Sequence, residues 1–187
     1  MNEVIVNKNN IYKIIKNKKY KESTIGIKID DQIYYDDSET NYKYNDENFW
    51  YPLIVTAFNI KDIKQRYKYI YDKMCFILDN YICIHCDFKC DRCIANRLRL
   101  TKYKIDGCCY FSSDGQCKYL KDKICQKKSI SCKLYMCMYI ENKLKFKSLP
   151  KSYPLIKYFF NKKQYEILQH SYKQEFDEII DKLIENI

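Results

Sequence analysis

The sequence predicts an α+β chain, and three observations carry that prediction. Apolar residues alternate with polar ones between Thr24 and Tyr35, an apolar stripe recurs at helical spacing between Ile60 and Tyr81, and ten of the eleven cysteines fall within residues 83–137. The first pattern is that of a half-buried hairpin and the second that of an amphipathic helix, while the third marks a segment held by ligation rather than by a core. The expected order is an N-terminal β-hairpin segment, a long central helix, a cysteine-rich metal-stapled module and a helical C-terminus. By residue, 1–82 form the N-terminal α+β region with the long helix, 83–148 the cysteine-rich metal-binding module and 149–187 the C-terminal helical segment, in one compact body.

Val4–Val6 reads as a short strand, and Ile11–Lys21 as a strand or a short helix. Ile25, Ile27 and Ile29 alternate, Asp30 and Asp31 turn the chain, and Ile33–Tyr35 return it. Residues 36–48 are polar and acidic and lead as a loop into the aromatic cluster Phe49, Trp50 and Tyr51. The longest apolar run, Trp50–Phe58, is far short of the roughly 18 apolar residues a membrane span needs. Met1–Lys8 also lacks the basic start and apolar run of a secretory signal. A cytoplasmic chain with reduced thiols and no membrane partner is therefore expected.

Asn59 offers an N-cap to a helix over 59–81, with Ile60, Ile63, Tyr67, Ile70, Met74, Ile77 and Tyr81 spaced alternately three and four apart. About three heptads with no partner repeat describe a core helix rather than a coiled coil. Cys75 stands beside the stripe and reads as a buried thiol. Beyond the cysteines, Leu149-Pro150 and Tyr153-Pro154 mark a boundary. Two helices follow: Leu155–Phe160 with an extension after Asn161, then Ser171–Ile187 with Tyr172, Phe176, Ile179, Leu183 and Ile187 on one face. Ser171 with Gln174 resembles a capping box. Six acids against two lysines from Gln164 onward make the last helix acidic, suited to docking on a basic surface of its own chain or another's.

The net charge is +10, yet only four of 34 basic residues are Arg, namely Arg66, Arg92, Arg97 and Arg99. Abundant Lys, Ile, Asn and Tyr with three glycines looks like the codon bias of an AT-rich genome. Scattered lysine supplies diffuse attraction to phosphate but not the bidentate base contacts that Arg makes.

The cysteines run Cys83-x2-Cys86-x3-Cys90-x2-Cys93, then Cys108-Cys109-x7-Cys117-x7-Cys125-x6-Cys132-x4-Cys137. Short C-x2-C loops let two thiolates meet one ion, and four hold Zn²⁺ tetrahedrally at roughly 2.3 Å. Eight of the ten suffice for two zinc ions. Only His85 lies inside the region, so the donors are essentially all sulfur, which also suits a [4Fe–4S] cluster as the alternative cofactor. Between Cys75 and Cys137 twelve basic residues face six acids, a balance of +6. Two tetrathiolate zinc sites would lower it to about +2, so local basicity serves thiolate stabilisation.

Within this region, Gly107-Cys108-Cys109, Cys117-Lys118-Tyr119-Leu120, Cys125 and Cys132-Lys133-Leu134-Tyr135-Met136-Cys137 resemble the YkgJ-like bacterial cysteine-cluster family. That family has a Cys-Cys pair, then C-x-x-L, a further Cys and a closing C-R-x-[YF]. Lys133 replaces the family's Arg, Ser129-Ile130 replaces the preceding Arg-Pro, and Cys86, Cys90 and Cys93 lie farther from the pair than the family's first cysteines. The resemblance covers roughly 30 residues and implies chelation of zinc or iron.

Enzyme signatures are weaker. Cys86-x3-Cys90-x2-Cys93 resembles the cluster motif of radical-SAM enzymes, but the chain after residue 93 is too short for their barrel, Arg92 stands where an aromatic is usual, and Cys83 is available to close the open iron. Gly26, Gly107 and Gly115 build no dinucleotide or phosphate loop, and His85 with His170 builds no H-E-x-x-H helix. An arginine-activated lone cysteine competes poorly with so many candidate ligands. Arg97, Arg99, Lys102 and Lys104 form a candidate phosphate or partner contact, read first as the solvent face of a strand. The expectation is a non-enzymatic structural-zinc protein, a binding or regulatory module such as a bacterial or mobile-element accessory protein or inhibitor, with a protein or nucleoprotein partner. An iron–sulfur protein with redox or radical chemistry and a nucleic-acid-binding protein are the alternatives.

Overall fold

The computed structural model describes residues 4–7, 9–11, 13, 15, 25–29, 31–35, 43–44, 47–86, 88–89, 92–93, 119–121, 124–125, 129–134, 136, 138–172 and 174–187. Mixed α+β architecture results, with a small sheet at the N-terminus and a larger helical body.

Strands β1 (Val4–Asn7), β2 (Ile25–Ile29) and β3 (Gln32–Tyr34) pair in that order. The predicted hairpin is present: Ile27 lies opposite Tyr34 and Ile29 opposite Gln32, and Asp31 takes the left-handed conformation of the turn, with φ 66°. β1 runs parallel to β2, with Val4 opposite Ile25, a pairing that requires a crossover connection. Ile11, Lys13 and Ile15 within that connection are helical. Ile11 and Ile15, four apart, are buried and Lys13 is exposed, which decides the strand-or-helix ambiguity here in favour of helix. The inner face of the sheet buries Val6, Ile25, Ile27 and Tyr34, leaving Ile5, Ile33 and Tyr35 outside.

The helical body comprises α1 (Trp50–Asn59), α2 (Ile63–Ile77), α3 (Ile130–Leu134), α4 (Met138–Leu144), α5 (Pro154–Phe159), α6 (Lys162–His170) and α7 (Phe176–Glu185). α1 is the apolar run noted above. It buries Tyr51, Leu53, Ile54, Val55 and Ala57 because β2, α2 and α5 all pack against it, so no polar face interrupts the run. Pro52 is accommodated in its first turn, where no backbone donor is needed.

The start of the second helix corrects the sequence reading. Asn59 ends α1, and its side-chain oxygen accepts from the Ile25 N–H at 3.3 Å. Asp62 caps α2 instead, accepting from the Gln65 N–H at 2.7 Å. Arg66 reaches back to the end of α1, with Nε and Nη2 donating to the Ile60 carbonyl at 2.9 and 2.6 Å. One of the four arginines is thereby a helix-end clamp. The predicted stripe holds in the middle, where Tyr67, Ile70, Met74 and Ile77 are buried together with Tyr71 and Cys75. Its outer members depart: Ile60 precedes the helix and Ile63 is exposed.

The C-terminal cap is corrected too. Asn161 and Gln164 form the capping box, at the start of α6. Ser171 is buried at the end of that helix, its hydroxyl donating to the Leu168 carbonyl at 3.3 Å. α7 begins at Phe176 and buries Ile179, Ile180 and Leu183, with Tyr172 and Ile187 exposed. Its acidic face meets a basic surface of the same chain, through Lys64–Asp181 at 2.6 Å and Lys68–Asp177 at 2.8 Å. Gln164, 1% exposed, knits the helices together: its amide nitrogen donates to the Tyr67 hydroxyl at 2.9 Å and the Leu183 carbonyl at 2.6 Å, while its oxygen accepts from the Asn161 N–H. Among the described residues no helix is long and apolar enough to cross a membrane.

Candidate metal centre

The cysteine region leaves the helical body through a change of helical pitch. After Ile77 the chain winds as a π-helical turn, Leu78–Ile82, in which the Cys83 N–H donates to the Leu78 carbonyl five residues back. A 3-10 turn, Cys83–His85, follows, and the Cys86 N–H donates to the Cys83 carbonyl at 3.1 Å. Cys83 and Cys86 are thus the two ends of one tight turn, both half-buried. This is the compact backbone that a C-x2-C pair needs to present two sulfurs to one ion.

Cys86 packs with Met136, Tyr139 and Leu144 around the buried Ile140. These residues belong to the far end of the cysteine region, so its entry and its exit meet. Lys143 Nζ donates to the His85 carbonyl at 3.3 Å across the same contact.

Cys132 sits half-buried on α3, between the buried residues Ser131 and Lys133. Tyr71 receives this helix, its hydroxyl accepting from the Ile130 N–H at 3.0 Å. Burial raises the Tyr71 phenol far above its ordinary range, and negative charge at Cys75 and Cys132 adds to the effect. Tyr172 is raised by burial and then by Cys132. Lys133 is only 2% exposed and forms an ion pair with both carboxylate oxygens of Asp79 on the π-turn. Lys133 is therefore a buried tether between the exit of the region and its entry.

Two small hairpins lie between these ends. In the first, β4 (Phe88–Lys89) pairs with β5 (Arg92–Cys93), setting Cys93 opposite Phe88. In the second, β6 (Leu120–Lys121) pairs with β7 (Ile124–Cys125), setting Cys125 opposite Leu120.

Cys90, Cys108, Cys109, Cys117 and Cys137 lie outside the described residues, as do Arg97, Arg99, Lys102 and Lys104. Cys93 and Cys125 are described by their backbone register. Among the described residues no three His, Cys, Asp or Glu side chains converge as metal ligands do. Cys75 is buried at 4% exposure, in the core position its place beside the stripe predicts. Lys133 and Asp79 were not distinguishable in the sequence from solvated charges; the only local signal was the apolar and small residues around Lys133. No family model, no curated protein and no solved structure matches the chain.

Proposed function

We propose that residues 83–137 form a zinc–thiolate module seated on the helical body, and that the protein is a non-enzymatic binding or regulatory module whose interaction surface this metal shapes. The observation that carries the reading is the meeting of Cys86 with Met136, Tyr139 and Ile140. A segment bearing ten thiols is closed at its neck by protein contacts, and ligation then orders what lies beyond. Cys83, Cys86 and the closing Cys137, next in the chain to Met136, supply one site together with a thiol of the first hairpin. Cysteines of the second half supply the other. This is the chelation that the cysteine-cluster resemblance implies.

An all-sulfur donor set with local positive charge suits Zn²⁺, and it needs the reducing environment of a cytoplasm. Among the described residues the hydrophobic core joins the sheet to the helices, and in this reading the metal staples the cysteine module, whose ligation is coupled to its own folding. The partner class that fits is a protein or nucleoprotein, as for an accessory or inhibitor protein of a bacterium or mobile element.

Elemental analysis and a visible spectrum of protein purified without oxygen test the proposal. About two zinc per chain and no colour is the expected result. Several irons with acid-labile sulfide would replace zinc by a cluster and make redox chemistry the function, and folded protein without metal would overturn the metal reading altogether.

A further inference from the structure

We propose that a lysine strip running from Lys151 across the α5–α6 corner into the groove between α6 and α7 binds the phosphate backbone of nucleic acid, independently of sequence. Residues 142–163 contain seven lysines and no acid, and all seven lysines are exposed. The 3-10 turn Pro150–Ser152 packs against both α5 and α6, and the Tyr165 hydroxyl of α6 donates to the Lys157 carbonyl of α5 at 3.2 Å. Lys151, Lys157, Lys162 and Lys163 therefore stand on adjoining elements of one corner. Lys163 also lines an open groove of about 500 Å³, with Lys182 and His170 on its walls and Glu166 as its single carboxylate.

Codon bias alone scatters lysine among acids, and elsewhere on this body it does so. Lys64 and Lys68 are matched by Asp181 and Asp177. Asp177 and Asp181 are engaged by α2, while Lys182 lines the groove. Among the described residues no ion pair engages Lys145, Lys147, Lys151, Lys157, Lys162 or Lys163. Protein-binding surfaces are depleted of Lys and centred on aromatic or Arg anchors, whereas an acid-free run of lysine matches a chain of phosphates. The strip contains no Arg, so it contacts backbone rather than base edges. Lys157 Nζ lies 5.8 Å from the half-buried Tyr158 ring, which places an aromatic surface beside the charges. This surface lies outside the cysteine region, and the proposal stands apart from the metal reading.

The test is fluorescence anisotropy of labelled single- and double-stranded 20-mers with the full chain as purified, between 50 and 200 mM salt. Affinity should fall with salt along a log–log slope of about −3 to −5, and the variant K157Q/K162Q/K163Q should bind at least about tenfold more weakly with a slope smaller in magnitude by about 2–3. All three side chains are exposed, so the urea midpoint should not move. Parental binding by the triple variant, or salt-insensitive or absent binding, would each overturn the proposal. So would competition by polyglutamate equal to that by the oligonucleotide, which would assign the strip to an acidic protein.

Discussion

Removing either half of the Lys133–Asp79 pair should destabilise the protein, and the two losses should be unequal in a direction set by exposure. Lys133 is 2% exposed and Asp79 19%. Asp79→Asn leaves an ammonium almost without water, and a buried charge stripped of its partner costs about 3–5 kcal/mol. Lys133→Met leaves a carboxylate that can still recruit water at the protein surface, and methionine refills most of the lysine stem's volume. Its cost should be nearer the 1–3 kcal/mol of an unsatisfied polar group, about 2 kcal/mol. The double variant D79L/K133M should recover most of either loss, since replacing both charges by apolar groups is often neutral. Equilibrium urea unfolding reads these differences. With a slope of about 2 kcal/mol per M, D79N should lower the midpoint by about 2 M and K133M by about 1 M. A D79N shift below about 0.5 M, or K133M proving the worse of the two, would refute the argument that burial of the ammonium dominates this contact.

Gln164→Leu should cost about 3 kcal/mol in the same assay, because it strands the Leu183 carbonyl and the Asn161 N–H inside the helical body and removes the Tyr67 contact; a loss under 1 kcal/mol would show that water replaces the amide. Alkaline pH should unfold the protein from about pH 10 upward: burial raises the Tyr71 and Tyr153 phenols above their ordinary value of 10.0, so the stability they contribute is present below pH 10 and lost as pH rises towards their folded values. Absorbance at 295 nm should show these two ionising only with unfolding, and a smooth titration of every tyrosine before circular dichroism changes would contradict it. Zinc removal by a chelator should expose residues 87–128 to protease while 50–82 and 150–187 stay protected, because ligation is coupled to folding of the cysteine region whereas α1, α2, α5, α6 and α7 pack on one another; uniform cleavage would mean that the metal supports the whole fold.

Much of the architecture is legible in local pattern. The Ile25–Ile27–Ile29 alternation, with its Asp-Asp turn, yields the observed hairpin because a half-buried strand writes its two faces at period two. Tyr67, Ile70, Met74 and Ile77 mark α2 because one of its faces is solvated. The acidity of α7 foretold a basic surface, which proved to be α2 of the same chain. Trp50–Phe58 was silent for the opposite reason: a helix packed on several sides carries no period. Asn59 and Asp62, three residues apart, rank alike as caps by composition, and Ser171 was the nearest capping residue to a last helix that begins after Glu175 with no side-chain cap at all.

By itself, then, the sequence determines the mixed α+β class, the hairpin, the amphipathic helix and the concentration of ten thiols in 55 residues, because each of these is written in nearest-neighbour spacing. Only the tertiary structure decided that β1 runs parallel to β2, that Lys133 is buried against Asp79, and that Cys86 meets the chain again at Met136 and Ile140. Those facts depend on which surfaces are excluded from water when distant segments pack, and no residue's own pattern records what will cover it.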